Sequence, residues 1–267
     1  MNRLIVTGCS FTNYLPPTWP WFLAEKFDET YNFGKPGAGN EYIFHSLIDA
    51  DSLLKFNSND VIIVMWSGFF RIDRSTNEEG WKTKGDMINW PKEEYLYFSS
   101  QFSNDFLVKR SINFILSTYR YLKEKKLNFF FGSMGSLKED NNFVNLLDEI
   151  YDDGHFVIED VTKLFLRKNR DRTTDIKWSH PSPVEHYEIA KLFANKINLE
   201  LNSSFNFEMF MNTIGSEENY QRMIVNNSLH LQNRITNEIN LPFGNSHQVK
   251  LHSLSLKNLE KYIIFGV

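Results

Sequence analysis

The sequence predicts an α/β fold: a doubly wound (flavodoxin-like) three-layer αβα sandwich with a mainly parallel five-stranded sheet, plus a C-terminal extension. Two observations lead to this prediction. Short runs rich in β-branched and aromatic residues alternate with longer segments whose apolar residues recur at helical spacing. Most of these short runs, such as residues 61–66, are largely apolar, as strands covered on both faces of a parallel sheet are. Such alternation builds a sheet with helices on both sides.

Five short runs are predicted as strands. The first is Leu4-Ile5-Val6-Thr7-Gly8, which ends at a glycine, and the strongest signal in the chain is Val61-Ile62-Ile63-Val64-Met65-Trp66. In chain order, the predicted strands are residues 4–8, 29–33, 61–66, 127–132 and 156–158.

Five helices are predicted around these strands. Asn40 and Ser182 precede helical apolar patterns and are predicted helix caps. In chain order, the predicted helices are residues 21–27, 40–56, 106–125, 142–151 and 182–199. The inner face of the last helix is predicted to hold Ile189, Leu192, Phe193 and Ile197.

The chain divides into one domain and two additions. The length of 267 residues fits a single large domain with an appendage, predicted here as residues 1–200 followed by an extension of unknown role, residues 201–267. The extension is rich in Asn and Ser, and residues 262–265 offer one last candidate strand. Residues 69–103 form an aromatic-rich insertion without a clear period, which is typical of a lid, a binding loop or a small subdomain.

The composition excludes several classes of protein. A net charge of −4 argues against a protein that binds nucleic-acid backbones, and no nucleic-acid partner is expected. The single cysteine, Cys9, excludes an intramolecular disulfide and a cysteine-based zinc site. No run approaches the roughly 18 apolar residues of a membrane span, so no membrane partner is expected either.

The first residues lead directly into a strand and not into a signal peptide, which predicts a cytoplasmic protein. The Asn-, Lys-, Phe- and Ile-rich composition would suit an AT-rich bacterial or phage genome.

Two candidate site segments follow the first two predicted strands. Ser10 lies just past the first strand and before a helix, where its hydroxyl would reach the ligand-binding edge of the sheet. The alternative role for Ser10 is a capping or turn serine. The glycine-rich segment at residues 34–40 lets a backbone approach a ligand, although a plain tight turn would use the same residues. It matches neither a P-loop nor a dinucleotide-binding fingerprint, and no cofactor is expected.

A third candidate segment surrounds His180. This histidine precedes a helix in a loop that Pro181 and Pro183 restrict, and a neutral imidazole there can act as a general base toward a serine. His186 falls within the helix and is predicted to pack or to form a hydrogen bond. Because no convincing third ligand is close in sequence, we predict no metal site.

Together these segments resemble the SGNH (GDSL-type) hydrolase family over about residues 4–199. Gly8-Cys9-Ser10-Phe11-Thr12 resembles the first block of that family, with Ser10 in the place of the nucleophile and Cys9 in the place of an aspartate. Residues 32–40 resemble the second block, whose glycine N–H joins the oxyanion hole. The resemblance gives that role to Gly37 or Gly39, and Asn40 beside them is a further substrate-binding candidate. His180-Pro181 resembles the last block, which carries the catalytic histidine.

The chain departs from the family pattern in the third block. That block normally ends its strand with Gly-x-Asn-Asp, whose asparagine donates to the oxyanion. Here the strand is followed by Ser67-Gly68-Phe69-Phe70-Arg71, without an asparagine. The candidates to replace it are Ser67, through its hydroxyl or its N–H, and Arg71.

The chain also departs in the acid that orients the histidine. The family position, three residues before the histidine, holds Lys177. Asp175 is the nearest acid and Asp171 the next, and a Ser–His dyad assisted by a backbone carbonyl is the alternative. Of these we favour Asp175.

The resemblance implies a serine esterase that works through an acyl-enzyme intermediate. Its substrate would be a small-molecule or carbohydrate ester. Trp and Tyr side chains of the insertion would suit an O-acetylated sugar, although they would equally suit the core of a subdomain. The alternatives are an inactive binding or structural protein with the same fold, and an acyltransferase. The sequence does not indicate an oligomeric state.

Overall fold

The structure is a computed structural model, and it describes residues 2–13, 18–76, 80–138, 143–166, 180–181, 183–201 and 249–251. One mixed sheet organises these residues, with strand order β7-β6-β3-β1-β2-β8. The first five of these strands are mutually parallel, and β8 is antiparallel to β2 at the edge. The strands are β1 (Arg3–Gly8), β2 (Glu29–Asn32), β3 (Val61–Trp66), β6 (Asn128–Ser133), β7 (Phe156–Ile158) and β8 (Val249–Leu251).

The parallel part of the sheet has the flavodoxin-like order, which confirms the predicted fold class. Strand β1 is central: Val6 pairs with Asn32 of β2 on one side and with Ile63 of β3 on the other. The order of the strands in the sheet reverses between β1 and β3: β2 is added on one side of β1, and β3 and the later strands on the other. The carboxyl ends of β1 and β3 therefore border the crevice where ligands of such folds bind. The turns that follow β1, β2 and β3 all lie at this edge.

Helices cover both faces of the sheet. α1 packs against α6, and α2 packs against α4. The helices are α1 (Trp19–Ala24), α2 (Asn40–Leu54), α3 (Lys92–Gln101), α4 (Asn104–Glu124), α5 (Asp148–Asp152) and α6 (Pro183–Lys196). Strand β3 is buried along its whole length, as its unbroken apolar sequence predicts. In the part of the chain that the structure describes, no helix combines the length and apolar character needed to cross a membrane.

Three details of the predicted helices differ from the structure. Asn40 is the first residue of α2 and not its cap, which is Gly39. Leu192 is 36% exposed, whereas Ile189 and Phe193 on the same helix are fully buried as predicted. The segment predicted as one helix at residues 142–151 is a 3₁₀ turn followed by α5. The predicted Ser182 cap and the candidate strand at residues 262–265 lie outside the described residues.

The insertion at residues 69–103 is a small structured unit. It contains the antiparallel hairpin β4 (Arg74–Thr76) and β5 (Gly80–Lys82), a 3₁₀ turn at Met87–Asn89, and α3. Its apolar cluster consists of Ile72, Met87 and Trp90 together with Leu107 of α4, and Phe98 and Phe102 pack against it. Most of its large side chains therefore pack inward, which supports the subdomain alternative for this segment.

Candidate active site

Ser10 and His180 meet at the carboxyl edge of the sheet, although 170 positions separate them in sequence. The Ser10 Oγ lies 2.8 Å from the His180 Nε2. For Nε2 to accept the hydroxyl proton, the ring must carry its own proton on Nδ1. The edge of the Phe11 ring packs against the His180 ring, with 5.6 Å between their centroids. Distance and orientation suit a nucleophile and its general base.

The turn that presents Ser10, which we call the serine turn (residues 8–12), is held by bonds close in sequence and by two bonds from the end of β2 and the residues after it. The Asn32 Nδ2 donates to the Thr12 carbonyl at 2.9 Å, and the Lys35 N–H donates to the Gly8 carbonyl at 3.0 Å. The N–H groups of Thr12 and Asn13 both donate to the Cys9 carbonyl, at 2.9 and 3.1 Å. The chain folds back so tightly that a Cβ on Gly8 would lie 2.2 Å from the Thr12 Oγ1. Glycine is therefore needed at the end of β1 for the chain to make this turn.

His180 is held in its neutral form by its surroundings. Burial lowers the pKa of His180 below its ordinary value, and the nearby Arg71 guanidinium lowers it further. A neutral imidazole is the form that can accept the serine proton. His186 on α6 is buried, and burial lowers its pKa to about 3, so this ring is a neutral packing residue as the sequence predicted.

The second candidate element is the glycine loop (residues 34–40) after β2. Gly37 has a φ of 75°, in the left-handed region that favours glycine. A Cβ there would also lie 2.9 Å from the Gly85 nitrogen and 3.0 Å from the Thr83 carbonyl oxygen. Among the described residues, the N–H groups of Gly37 and Ser10 have no acceptor. Both can therefore donate to a ligand.

The N–H of Gly39 is engaged by Asp73. This carboxylate accepts the Gly39 N–H at 2.8 Å and the Tyr42 N–H at 2.9 Å, and so caps α2 from a distant part of the chain. Burial raises the pKa of Asp73 to about 6. Of the two glycines that the sequence left open, Gly37 is the one with a free donor.

Asn40 and Ser67 bind each other. The Ser67 N–H donates to the Asn40 Oδ1 at 2.9 Å, the Ser67 hydroxyl donates to the same oxygen at 3.3 Å, and the Asn40 Nδ2 donates to the Ser67 carbonyl at 3.1 Å. Both residues are buried. The pair joins the end of β3 to the start of α2, so both donors of Ser67 serve the structure of the site and neither is available to an oxyanion.

Arg71 reaches the same edge from the segment after β3. Its Nη1 donates to the Ala38 carbonyl at 3.0 Å, and its Nη2 points to the Met134 Sδ at 3.3 Å. Its Nε has no hydrogen-bond partner in the part of the chain described here. The side chain is buried, with 9% of the residue exposed. The site thus contains a buried cation with unused donors.

The structure brings together Ser10, His180 and Arg71, it leaves the Gly37 N–H free in the neighbouring glycine loop, and it gives Gly39, Asn40 and Ser67 supporting contacts. Asp175 and Asp171 lie outside the described residues. The sequence did not identify Asp73, although one signal existed: a helix that begins after Gly39 has no side-chain cap of its own, so its N–H groups need an acceptor from elsewhere. The described residues contain no cluster of three His, Cys, Asp or Glu side chains that would hold a metal.

Comparisons with known proteins give structural similarity alone. No protein-family model matches the chain, and no curated protein matches it. Among solved structures, the chain is similar to a lipolytic G-D-S-L family protein from Veillonella parvula DSM 2008, with 11% identity, a TM-score of 0.44, and coverage of 74% of this chain and 98% of that one. It is also similar to Axe2, an acetylxylan esterase from Geobacillus stearothermophilus, with 13% identity, a TM-score of 0.45, and coverage of 76% and 97%.

These are the kinds of protein that the sequence motifs resemble. At such low identities and TM-scores, the fold of this chain rests on its own strand order and its chemistry on the geometry of its own residues.

Proposed function

We propose that this protein is an SGNH-type serine esterase in which Ser10 is the nucleophile and His180 the general base. The observation that carries the proposal is the 2.8 Å contact between the Ser10 Oγ and the His180 Nε2. The free N–H groups of Ser10 and Gly37 at the same edge support it. A hydroxyl, a neutral imidazole and two backbone donors are the groups that acyl transfer needs.

The proposed reaction has two halves. His180 takes the hydroxyl proton while the Ser10 oxygen attacks the ester carbonyl, and the N–H groups of Ser10 and Gly37 stabilise the oxyanion that forms. The intermediate then expels the alcohol, which receives the proton from His180, and leaves an acyl group on Ser10. A water molecule, deprotonated by His180, attacks the acyl group and releases the acid and the free serine. Asp175 remains our candidate for the acid that orients His180.

We extend the proposal to an O-acetyl group on a carbohydrate as a candidate substrate. Trp90 packs into the core of the insertion, and Trp81 packs against Tyr42 and His45 of α2. Tyr95 and Tyr97 on α3 remain 39% and 62% exposed. Exposed tyrosines of this kind suit stacking on sugar rings.

Hydrolysis of 4-nitrophenyl acetate tests the proposed reaction. We expect Ser10→Ala and His180→Ala each to lower kcat by about 10⁴–10⁶-fold, as removal of a nucleophile or base does in other serine hydrolases. The matched controls are Ser99→Ala on α3, an exposed serine, and His155→Ala just before β7, at the edge of the sheet opposite to Ser10. The controls should retain the wild-type rate.

Equal rates for the wild type, Ser10→Ala and His180→Ala would reject the esterase. That result would favour a non-catalytic binding protein, which the absent oxyanion asparagine also suits. An acyltransferase would show itself by transferring the acetyl group to an added alcohol faster than to water.

A further inference from the structure

Arg71 is the buried cation of the site described above, and the described residues leave it poorly compensated. A guanidinium offers five N–H donors, and within the described residues two groups receive them. One is the neutral carbonyl of Ala38, and the other is the thioether sulfur of Met134, a weak acceptor. The Nε has no partner among the described residues.

The nearest acid in sequence does not neutralise Arg71. Asp73 uses its two oxygens to accept the N–H groups of Gly39 and Tyr42. No ion pair to Arg71 occurs within the described ranges, whereas Arg3 and Arg110 each pair with a carboxylate. A buried charge without a counter-ion is costly, so a ligand that supplies a negative charge would bind favourably here.

The position of Arg71 places such a ligand beside the reacting atoms. The guanidinium contacts Ala38, the residue after the proposed oxyanion donor Gly37, and it lies close enough to His180 to affect that residue electrostatically. A planar guanidinium fits a carboxylate through two parallel hydrogen bonds. From these contacts we propose that Arg71 binds a carboxylate that the ester substrate itself carries, a few bonds from the ester group.

This inference rests on the proposed esterase function and gives it a substrate class, namely esters of anionic molecules such as acetylated uronic acids or acetylated hydroxy acids. It also separates two roles for Arg71. A residue that stabilises only the oxyanion raises the rate of hydrolysis of all esters alike, because every ester forms that charge. A residue that binds a carboxylate raises the rate of hydrolysis only of the esters that carry one.

Matched pairs of esters distinguish the two roles. One pair places the charge on the alcohol side: 3-acetoxybenzoate against 3-acetoxybenzamide, which have nearly the same shape. The other places it on the acyl side: phenyl hydrogen adipate against phenyl adipamate. We expect the wild type to prefer the acid in one pair. Arg71→Gln should lower kcat/KM for that acid by about 10–100-fold more than for its amide. The preference of Arg71→Lys for the acid should lie between that of the wild type and that of Arg71→Gln. Equal losses for acid and amide in both pairs would overturn the inference.

A second measurement does not depend on catalysis or on an Arg71 variant that folds. In Ser10→Ala, calorimetry should detect binding of 3-hydroxybenzoate or of adipate, and weaker or no binding of the corresponding amide. Carboxylate binding without any ester hydrolysis in the wild type would reject the esterase and keep the anion site. Hydrolysis without a preference for either acid, together with equal binding of acids and amides, would keep the esterase and reject the anion site.

Discussion

The serine turn and the glycine loop both follow strands at the same edge of the sheet, but they are held in different ways. The serine turn is bound within itself by two N–H groups on the Cys9 carbonyl, and Asn32 and Lys35 each add one bond to its ends. The glycine loop is fixed largely by residues 71–85: Arg71, Asp73, Trp81, Thr83 and Gly85 all contact it. The serine turn is therefore held by its own residues and by the end of β2, whereas the glycine loop, which holds the proposed oxyanion donor, also depends on the insertion.

Among the substitutions that test this difference between the two segments, Gly37→Ala should have the largest effect. The new Cβ would press on the backbone of Thr83 and Gly85, so the N–H of residue 37 would move away from the oxyanion. We expect kcat to fall by about 10²–10³-fold, the usual result of losing one oxyanion donor. Steady-state kinetics with 4-nitrophenyl acetate measures the fall.

Gly85→Ala is the matched control for that substitution. Gly85 has the same φ of 75°, but its added Cβ would approach only the Gly37 Cα, at 4.0 Å. Both variants strain the backbone by about 1–2 kcal/mol, and only Gly37→Ala adds the clash. Similar losses of kcat in both would mean that strain, and not the displaced donor, explains the effect.

The pH dependence of activity tests the surroundings of His180, the residue that contacts Ser10 of the serine turn. His180 must be neutral to act as base, and burial together with Arg71 lowers its pKa below the ordinary value of 6.5. Activity should therefore persist below pH 6.5 and then fall about tenfold per pH unit. Removing the cation in Arg71→Gln should raise the pKa of His180, so the acid limb of kcat/KM should move to higher pH. An acid limb above 6.5 in the wild type would contradict the described environment of His180.

Asp73→Asn should loosen the glycine loop while leaving the serine turn in place. The amide oxygen can accept only one of the two N–H groups that the carboxylate accepts. We expect a loss of about 0.5–2 kcal/mol in the free energy of unfolding near neutral pH from the weakened cap, measured in urea.

The same variant has a pH signature. Burial raises the pKa of Asp73 to about 6 in the folded chain, whereas its ordinary value is 3.8. Between these values the folded state holds a proton that the unfolded state has released, so rising pH destabilises the wild type. The stability of the wild type relative to Asp73→Asn should fall from pH 4 to pH 6 and then level off. A difference independent of pH would mean that Asp73 titrates as it does in water.

The smallest effect is expected from Thr83→Val. This change keeps the side-chain shape and removes the hydroxyl that donates to the Pro36 carbonyl at 2.7 Å, an exposed contact. The free energy of unfolding should fall by about 0.5–1.5 kcal/mol, and kcat by no more than a few-fold. A loss of kcat as large as that of Gly37→Ala would show that this one contact holds the whole loop.

The parts of the molecule that could be predicted from the sequence are those determined by residues close together in the chain. Four of the five parallel strands, all but β2, are marked by apolar runs, and Ser10 and His180 stand in short segments with recognisable order. Helix α3 was missed because none of its residues is buried, so it has no apolar stripe to mark its period. Strand β8 was missed because its pairing with β2 depends on residues far apart in the chain.

The same distinction applies within the site. Nothing around Asp73 or Met134 in the sequence indicates that one caps α2 and the other lies against Arg71. The partners of Gly39 and Ser67 likewise come from other elements, and those partners decide which donors remain free. Motif spacing identified the candidates, but only the packed structure shows which of them are already occupied.

The buried Cys9 has a practical consequence for studying this protein. It is the only thiol in the sequence, and it is fully enclosed with its sulfur 3.7 Å from the Met134 sulfur. A thiol sheltered in this way reacts slowly with water-soluble reagents. A cysteine introduced at an exposed position such as Ser99 would then be the preferred point of attachment for a fluorophore or spin label, with no need to remove the native residue beside the proposed nucleophile. The native chain thus provides a ready background for site-directed labelling of the insertion during assays of the proposed reaction.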